Sequence, residues 1–116
     1  MYLDTNINRL PLVFKTNCGK NYFEFHINGQ LASLQYTMVG DQHIELLALE
    51  IDKYLNRTEV GNALMERVME YAERADFKVI DTSLEVQSFL KKRPEYQKLV
   101  ATAAIPLPQK TPQPNL

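Results

Sequence analysis

The hydrophobic period of this 116-residue chain changes once, near Thr58, and that change limits the folds open to it. Before it, apolar residues alternate with polar ones or run nearly unbroken, which is strand patterning; after it, they recur at three- and four-residue steps, which is helix patterning. Residues 11–16 form a short apolar run that ends at the turn cluster Asn17-Cys18-Gly19-Lys20. Residues 22–27 then place Phe23, Phe25 and Ile27 on one face. Asn28-Gly29 suits a two-residue type I′ turn, whose two central positions both need positive φ. The return strand, 30–39, puts Ala32, Leu34, Tyr36 and Met38 on one face and stops at Gly40-Asp41. Residues 42–51 are nearly continuous in apolar character, which predicts a strand covered on both faces at the centre of the sheet.

From Thr58 the residues Val60, Ala63, Leu64, Val68, Tyr71, Ala72 and Ala75 form the stripe of a long amphipathic helix, with acidic side chains opposite. Met65 and Met69 widen that stripe and serve either the core or a dimer contact. Residues 77–81 read as a short buried strand, parallel to the preceding one because a helix joins them. Thr82 and Glu85 have capping-box spacing ahead of a shorter helix carrying Val86, Phe89 and Leu90. Pro94 suits the first position of a last helical turn or two that packs Tyr96, Leu99 and Val100 inward. The prediction is one α/β (α+β) domain over 1–100, with a mixed, mostly antiparallel sheet, one long helix and one or two short ones. Residues 101–116, with four prolines, read as an extended or disordered tail.

Composition narrows the function classes. Thirteen basic and fourteen acidic residues give a net charge of −1, so no overall field draws nucleic acid or an anionic membrane. No apolar run approaches the roughly 20 residues that span a bilayer. A single cysteine, Cys18, cannot make an internal disulfide, and no basic segment followed by an apolar one opens the chain, so a cytoplasmic location is expected. Cys18 reads as an unreactive turn thiol. His26 and His43 stand on separate strands and read as surface histidines, with no metal site expected. The triplet Asn56-Arg57-Thr58 fits a glycosylation sequon but reads better as a helix start.

The order of elements and several phrases together resemble the short single-domain GNAT (N-acetyltransferase-like) family over about two-thirds of the chain. The phrases are Phe23-Glu24-Phe25 followed by Gly29-Gln30-Leu31-Ala32-Ser33-Leu34-Gln35-Tyr36, then Leu49-Glu50-Ile51 ahead of Val60-Gly61-Asn62-Ala63-Leu64, and last Lys78-Val79-Ile80 through Arg93-Pro94-Glu95-Tyr96. The resemblance implies binding of acetyl-coenzyme A and acetyl transfer to an amine on a small molecule or protein. It places Glu50 at the family's Thr-Glu-Val glutamate as the base, backbone groups of Leu49 and Ile51 along the pantetheine arm, and N–H groups of residues 58–62 (Thr58, Val60, Gly61 and Asn62 among them) at the phosphates, with Arg57 reaching them as well. Ser83 stands where the family usually carries cysteine; it serves either as a hydrogen-bond donor to a leaving thiolate or as a helix cap. Ala48 and Arg93 stand where the family has histidines.

The family's Arg/Gln-x-x-Gly-x-Gly/Ala loop is reduced here to Asn56-x-x-Glu59-x-Gly61. Glu59 puts a side chain and a negative charge where backbone should approach phosphate, and Asn56 with Glu59 has the spacing of a capping pair. Two functions therefore stay open: an acetyl-coenzyme A-dependent N-acetyltransferase, and a non-catalytic binding module that kept the fold without the cofactor. A monomer and a homodimer are both compatible with the sequence.

Overall fold

The hairpins follow from backbone chemistry at two positions. In the computed structural model, which describes residues 10–101, Cys18 and Gly19 have φ of 53° and 78°, and Asn28 and Gly29 have φ of 51° and 82°. Both pairs are two-residue loops with positive φ throughout, the conformation that matches the right-handed twist of the flanking strands. They join β1 (Val13–Asn17), β2 (Lys20–Ile27) and β3 (Gln30–Val39), and a further turn through Gly40 leads to β4 (His43–Ile51). The sheet order is β1-β2-β3-β4-β5, antiparallel through β4, with β5 (Lys78–Ile80) parallel to β4. The predicted mixed, mostly antiparallel sheet is what forms, and β3, not β4, is its middle strand.

β4 is also not covered on both faces. Leu34 pairs with Leu49 and Tyr36 with Leu46, so two residues, Leu47 and Ala48, face the single Gln35. This β-bulge reverses the phase of the strand. Ile44 and Leu46 point into the core before it, Leu49 after it, and Ala48 is exposed. The unbroken apolar run reflects a change of phase on a one-faced strand.

The covered face carries Phe23, Phe25, Ala32, Leu34, Ile44, Leu46 and Leu49. Against it lies α1 (Arg57–Ala75), burying Val60, Ala63, Leu64, Met65, Val68, Met69 and Ala72, so both methionines are core residues. Asn56 caps α1 at one end, and Asp76, at φ 63°, ends it in the left-handed conformation. α2 (Leu84–Lys91) is capped by Ser83, whose hydroxyl accepts from the Glu85 N–H at 3.2 Å. Thr82, expected as the cap, instead donates to Glu45 Oε2 at 2.6 Å. A 3-10 segment, Pro94–Leu99, follows with proline in its first turn. Val100 then pairs in parallel with Val79, and the Ala101 N–H donates to the Val79 carbonyl at 2.7 Å, adding a last rung to the far edge of the sheet. The proline-rich segment from 102 onward lies outside the described residues. Among those described, no helix is long and apolar enough to cross a membrane.

Arg93 ties the closing segment down. Its guanidinium bonds Glu66 of α1 at 2.6 Å and Glu95 at 3.0 Å, and sits 5.6 Å from the ring centroids of both Phe89 and Tyr96, which stack on each other. Three elements are thus held by one planar cation that can bond at its edge and stack on its face. Arg93→Ala should lower stability by roughly 1–3 kcal/mol, the sum expected of a partly exposed charged hydrogen bond and a cation–π contact. Arg93→Lys should recover less than half of that, as chemical denaturation would show.

Two tyrosines make folding sensitive to alkali. Burial raises the Tyr36 phenol above its ordinary value, helped by the nearby Tyr71, and burial raises Tyr96, helped by the negative charges of Glu66 and Glu70. The folded protein therefore holds these protons more tightly than the unfolded chain. The stability they contribute is fully present below the ordinary tyrosine value of about 10 and is lost as pH rises from there through the raised values of the folded state. Urea midpoints should fall as the pH is raised above about 10, and fall less in the Tyr36→Phe/Tyr96→Phe double variant.

Candidate functional site

The link from β4 to α1 fixes where the helix begins. The Asp52 N–H donates to the Leu31 carbonyl at 2.9 Å, and Asp52 in turn accepts from the Tyr54 N–H through its side chain and from the Leu55 N–H through its carbonyl, each at 2.9 Å. This tight turn, anchored to β3, delivers Asn56 to the cap position. Asn56 Oδ1 accepts from the Glu59 N–H at 2.9 Å, and its carbonyl accepts from the Val60 N–H at 2.9 Å.

The second boundary is a parting of strands. β4 and β5 pair only at His43 with Lys78, Ile44 with Val79 and Glu45 with Ile80. The Thr82–Glu45 hydrogen bond closes the fork. Beyond it the chain from β5 turns into α2 while β4 runs on to Ile51, paired on its β3 side alone. α1 lies under the fork, and Gly61 lets it come close: a β-carbon there would stand 3.2 Å from Leu49 Cδ2.

These elements enclose a cleft of about 300 Å³. Leu49 of β4 and Arg57, Thr58, Gly61, Asn62 and Met65 of α1 form one bank, and Leu84, Glu85, Ser88, Phe89 and Lys92 form the other. The floor is apolar and the rim polar, the usual make-up of a small-molecule site. Arg57 and Glu85 form an ion pair that joins the first turns of the two helices across it. Leu84 stands exposed at the rim.

The structure brings five of the residues singled out in the sequence, Leu49, Arg57, Thr58, Gly61 and Asn62, to this one cleft. It places the others elsewhere. Val60 is buried in the core, Ile51 packs against the core from the end of β4, and Ser83 caps α2. Glu50 follows the inward Leu49, is exposed, and pairs across the strands with Ser33, which puts it on the face of the sheet away from α1. Of the N–H groups from 58 to 62, those of Glu59 and Val60 are bonded to Asn56, and those of Gly61 and Asn62 belong to the helical ladder. In the first turn the N–H groups of Arg57 and Thr58 have no carbonyl four residues back within the helix. Glu59 itself is exposed and does not line the cleft.

The α2 bank was not identified from the sequence. Its signal was present, since Glu85, Ser88, Phe89 and Lys92 recur at three- and four-residue steps on one helix face. The histidines also differ from expectation in part. His26 is exposed and lies 2.8 Å from the buried Glu24, whereas His43 is partly buried with Nε2 unpartnered.

A helix N-terminus and a glycine packed beneath two parting parallel strands define an α+β domain with a cleft at the fork. The architecture is similar to the solution structure of a GCN5-like protein from Staphylococcus aureus proposed to be an N-acetyltransferase, with a TM-score of 0.57 and 23% identity over 85% of this chain and 97% of that one. Residues 22–99 match the family model described as GCN5-related N-acetyl-transferase, and the chain belongs to that family. No curated protein matches it.

Proposed function

We propose that the chain is an acyltransferase whose cleft takes the pantetheine arm of acetyl-coenzyme A and whose acceptor is an amine. The observation that carries this reading is the fork between β4 and β5 directly over the first turns of α1. The fork leaves backbone groups of β4 beyond Glu45 available to the amides of an extended arm, and Leu49, Met65 and Phe89 supply apolar contact. The residues present fit the arm better than the diphosphate, for which there remain the N–H groups of Arg57 and Thr58 and the Arg57 side chain. When bound, acetyl-coenzyme A supplies a thioester whose acetyl group passes to a neutral amine with release of the thiol. Glu50, on the open face beside the parted stretch of β4, would take the amine's proton, so the acceptor approaches from the face opposite the helices.

A second reading, a binding module without the cofactor, is favoured by one arrangement. The loop's anion-facing donors are already engaged, the Glu59 N–H by Asn56 and the Arg57 guanidinium by Glu85.

Calorimetry and thermal melts with acetyl-coenzyme A separate the two. The transferase reading expects saturable binding and, at one hundred times the dissociation constant, about 2.7 kcal/mol of added stability. Ser88→Trp, which fills the cleft from an exposed position, should abolish both while leaving the unliganded melt unchanged. No heat and no shift at millimolar cofactor would favour the module. Glu59→Gly should tighten binding by about two- to fivefold if the carboxylate repels the phosphates; an unchanged affinity would refute that repulsion.

A further inference from the structure

We infer that Glu85 is an internal competitor for the anion site of the cleft, occupying on the Arg57 guanidinium the place that a ligand's diphosphate takes on binding. The inference rests on the reading of the cleft as a coenzyme A site, and it assigns a specificity-determining role to a residue on the opposite bank from the phosphate loop. Both side chains line the same cleft, one from each helix, and their ion pair joins the first turn of α1 to the first turn of α2. Among the described residues, the one arginine that lines the cleft is thereby turned toward a carboxylate of the protein itself.

The exchange is physically easy. Both side chains are about half exposed, at 54% and 41%, so the pair is screened by water and holds little energy. Glu85 also keeps a second source of stabilisation when Arg57 leaves it, because it stands in the acidic first turn of α2, where the helix dipole favours negative charge. Lys92 lines the same bank and adds positive charge that favours the incoming anion. With Glu85 in place the rim balances Arg57 and Lys92 against one carboxylate; without it, two cations face the ligand. Glu85 thus lowers the affinity for phosphorylated ligands specifically, and leaves the apolar floor that receives the arm unaltered.

The test titrates the wild-type protein, Glu85→Gln and Arg57→Gln with coenzyme A and with uncharged pantetheine by calorimetry. Glu85→Gln should tighten coenzyme A by roughly two- to fivefold, the range set by a half-exposed pair, and change pantetheine by less than that. Arg57→Gln should weaken coenzyme A, leave pantetheine unchanged, and remove the effect of Glu85→Gln in the double variant. If Glu85→Gln changes both ligands alike, or neither, the competitor role is overturned while the cleft reading stands. If neither ligand binds any of the variants, the cleft reading fails and the inference falls with it. Matching melts of the unliganded variants keep a folding defect from being mistaken for either result.

Discussion

The extra residue in β4 governs the shape of everything around the cleft. Because Leu47 and Ala48 share a single partner on β3, the strand keeps Ile44 and Leu46 in the core on one side of the bulge and Leu49 on the other. A regular strand would have sent Leu49 to the open face and Ala48 inward. A bulge also bends its strand and increases local twist, and it lies just past Glu45, where pairing with β5 ends. The same irregularity therefore puts Leu49 over Gly61 and accompanies the separation of β4 from β5. The absence of a β-carbon at Gly61 then sets how close α1 can come.

The sheet is covered on one side by α1, with α2 and the 3-10 segment packed against that helix, so the core depends on a single helix face meeting a single sheet face. Such a two-layer arrangement has little redundancy, and the closing segment matters for it. Tyr96 and Leu99 are buried, and they stay so because Arg93 joins their segment to Glu66 on α1 and to the Phe89 ring on α2. The family resemblance in the sequence sets Arg93 at a position where a histidine is expected. An arginine there is permanently charged and bonds two carboxylates while stacking on two rings, a combination a neutral imidazole cannot reproduce. These contacts account for an arginine at position 93.

Much of this architecture was legible in the sequence because it is written in local patterns. The two positive-φ turns, the change of period at α1, the Asn56 cap and the proline of the 3-10 segment each follow from the preferences of a few neighbouring residues. What escaped depends on pairing between distant residues. The run from Ile44 to Leu49 reads the same whether a strand is buried on both faces or changes phase at a bulge, and only the register with β3 distinguishes them. Thr82 and Ser83 are both good caps; the carboxylate of Glu45, 37 positions earlier, draws off Thr82 and leaves Ser83 to the helix. The α1 bank of the cleft is legible through the family likeness, and the α2 bank is not, because the spacing of Glu85 from Thr82 reads as a capping pair.

The altered loop and the cleft become consistent once charge is considered for both helices together. Taken alone, a loop with Glu59 where the family resemblance calls for glycine argues against anions. Taken with α2, the exposed Glu59 lies off the cleft, while the carboxylate that does reach the rim comes from Glu85 and is paired with Arg57. Helix α1 starts at a side-chain cap, Asn56, that accepts from the Glu59 N–H, where a glycine turn would offer bare backbone to a phosphate. Such a helix start is formed without a ligand, and on the proposed reading the Arg57 side chain, paired with Glu85, is the group left to meet an anion. Under the proposed function, a side chain that must first leave Glu85 contributes less than fixed amides would, so the apolar floor of Leu49, Met65 and Phe89 would supply most of the affinity.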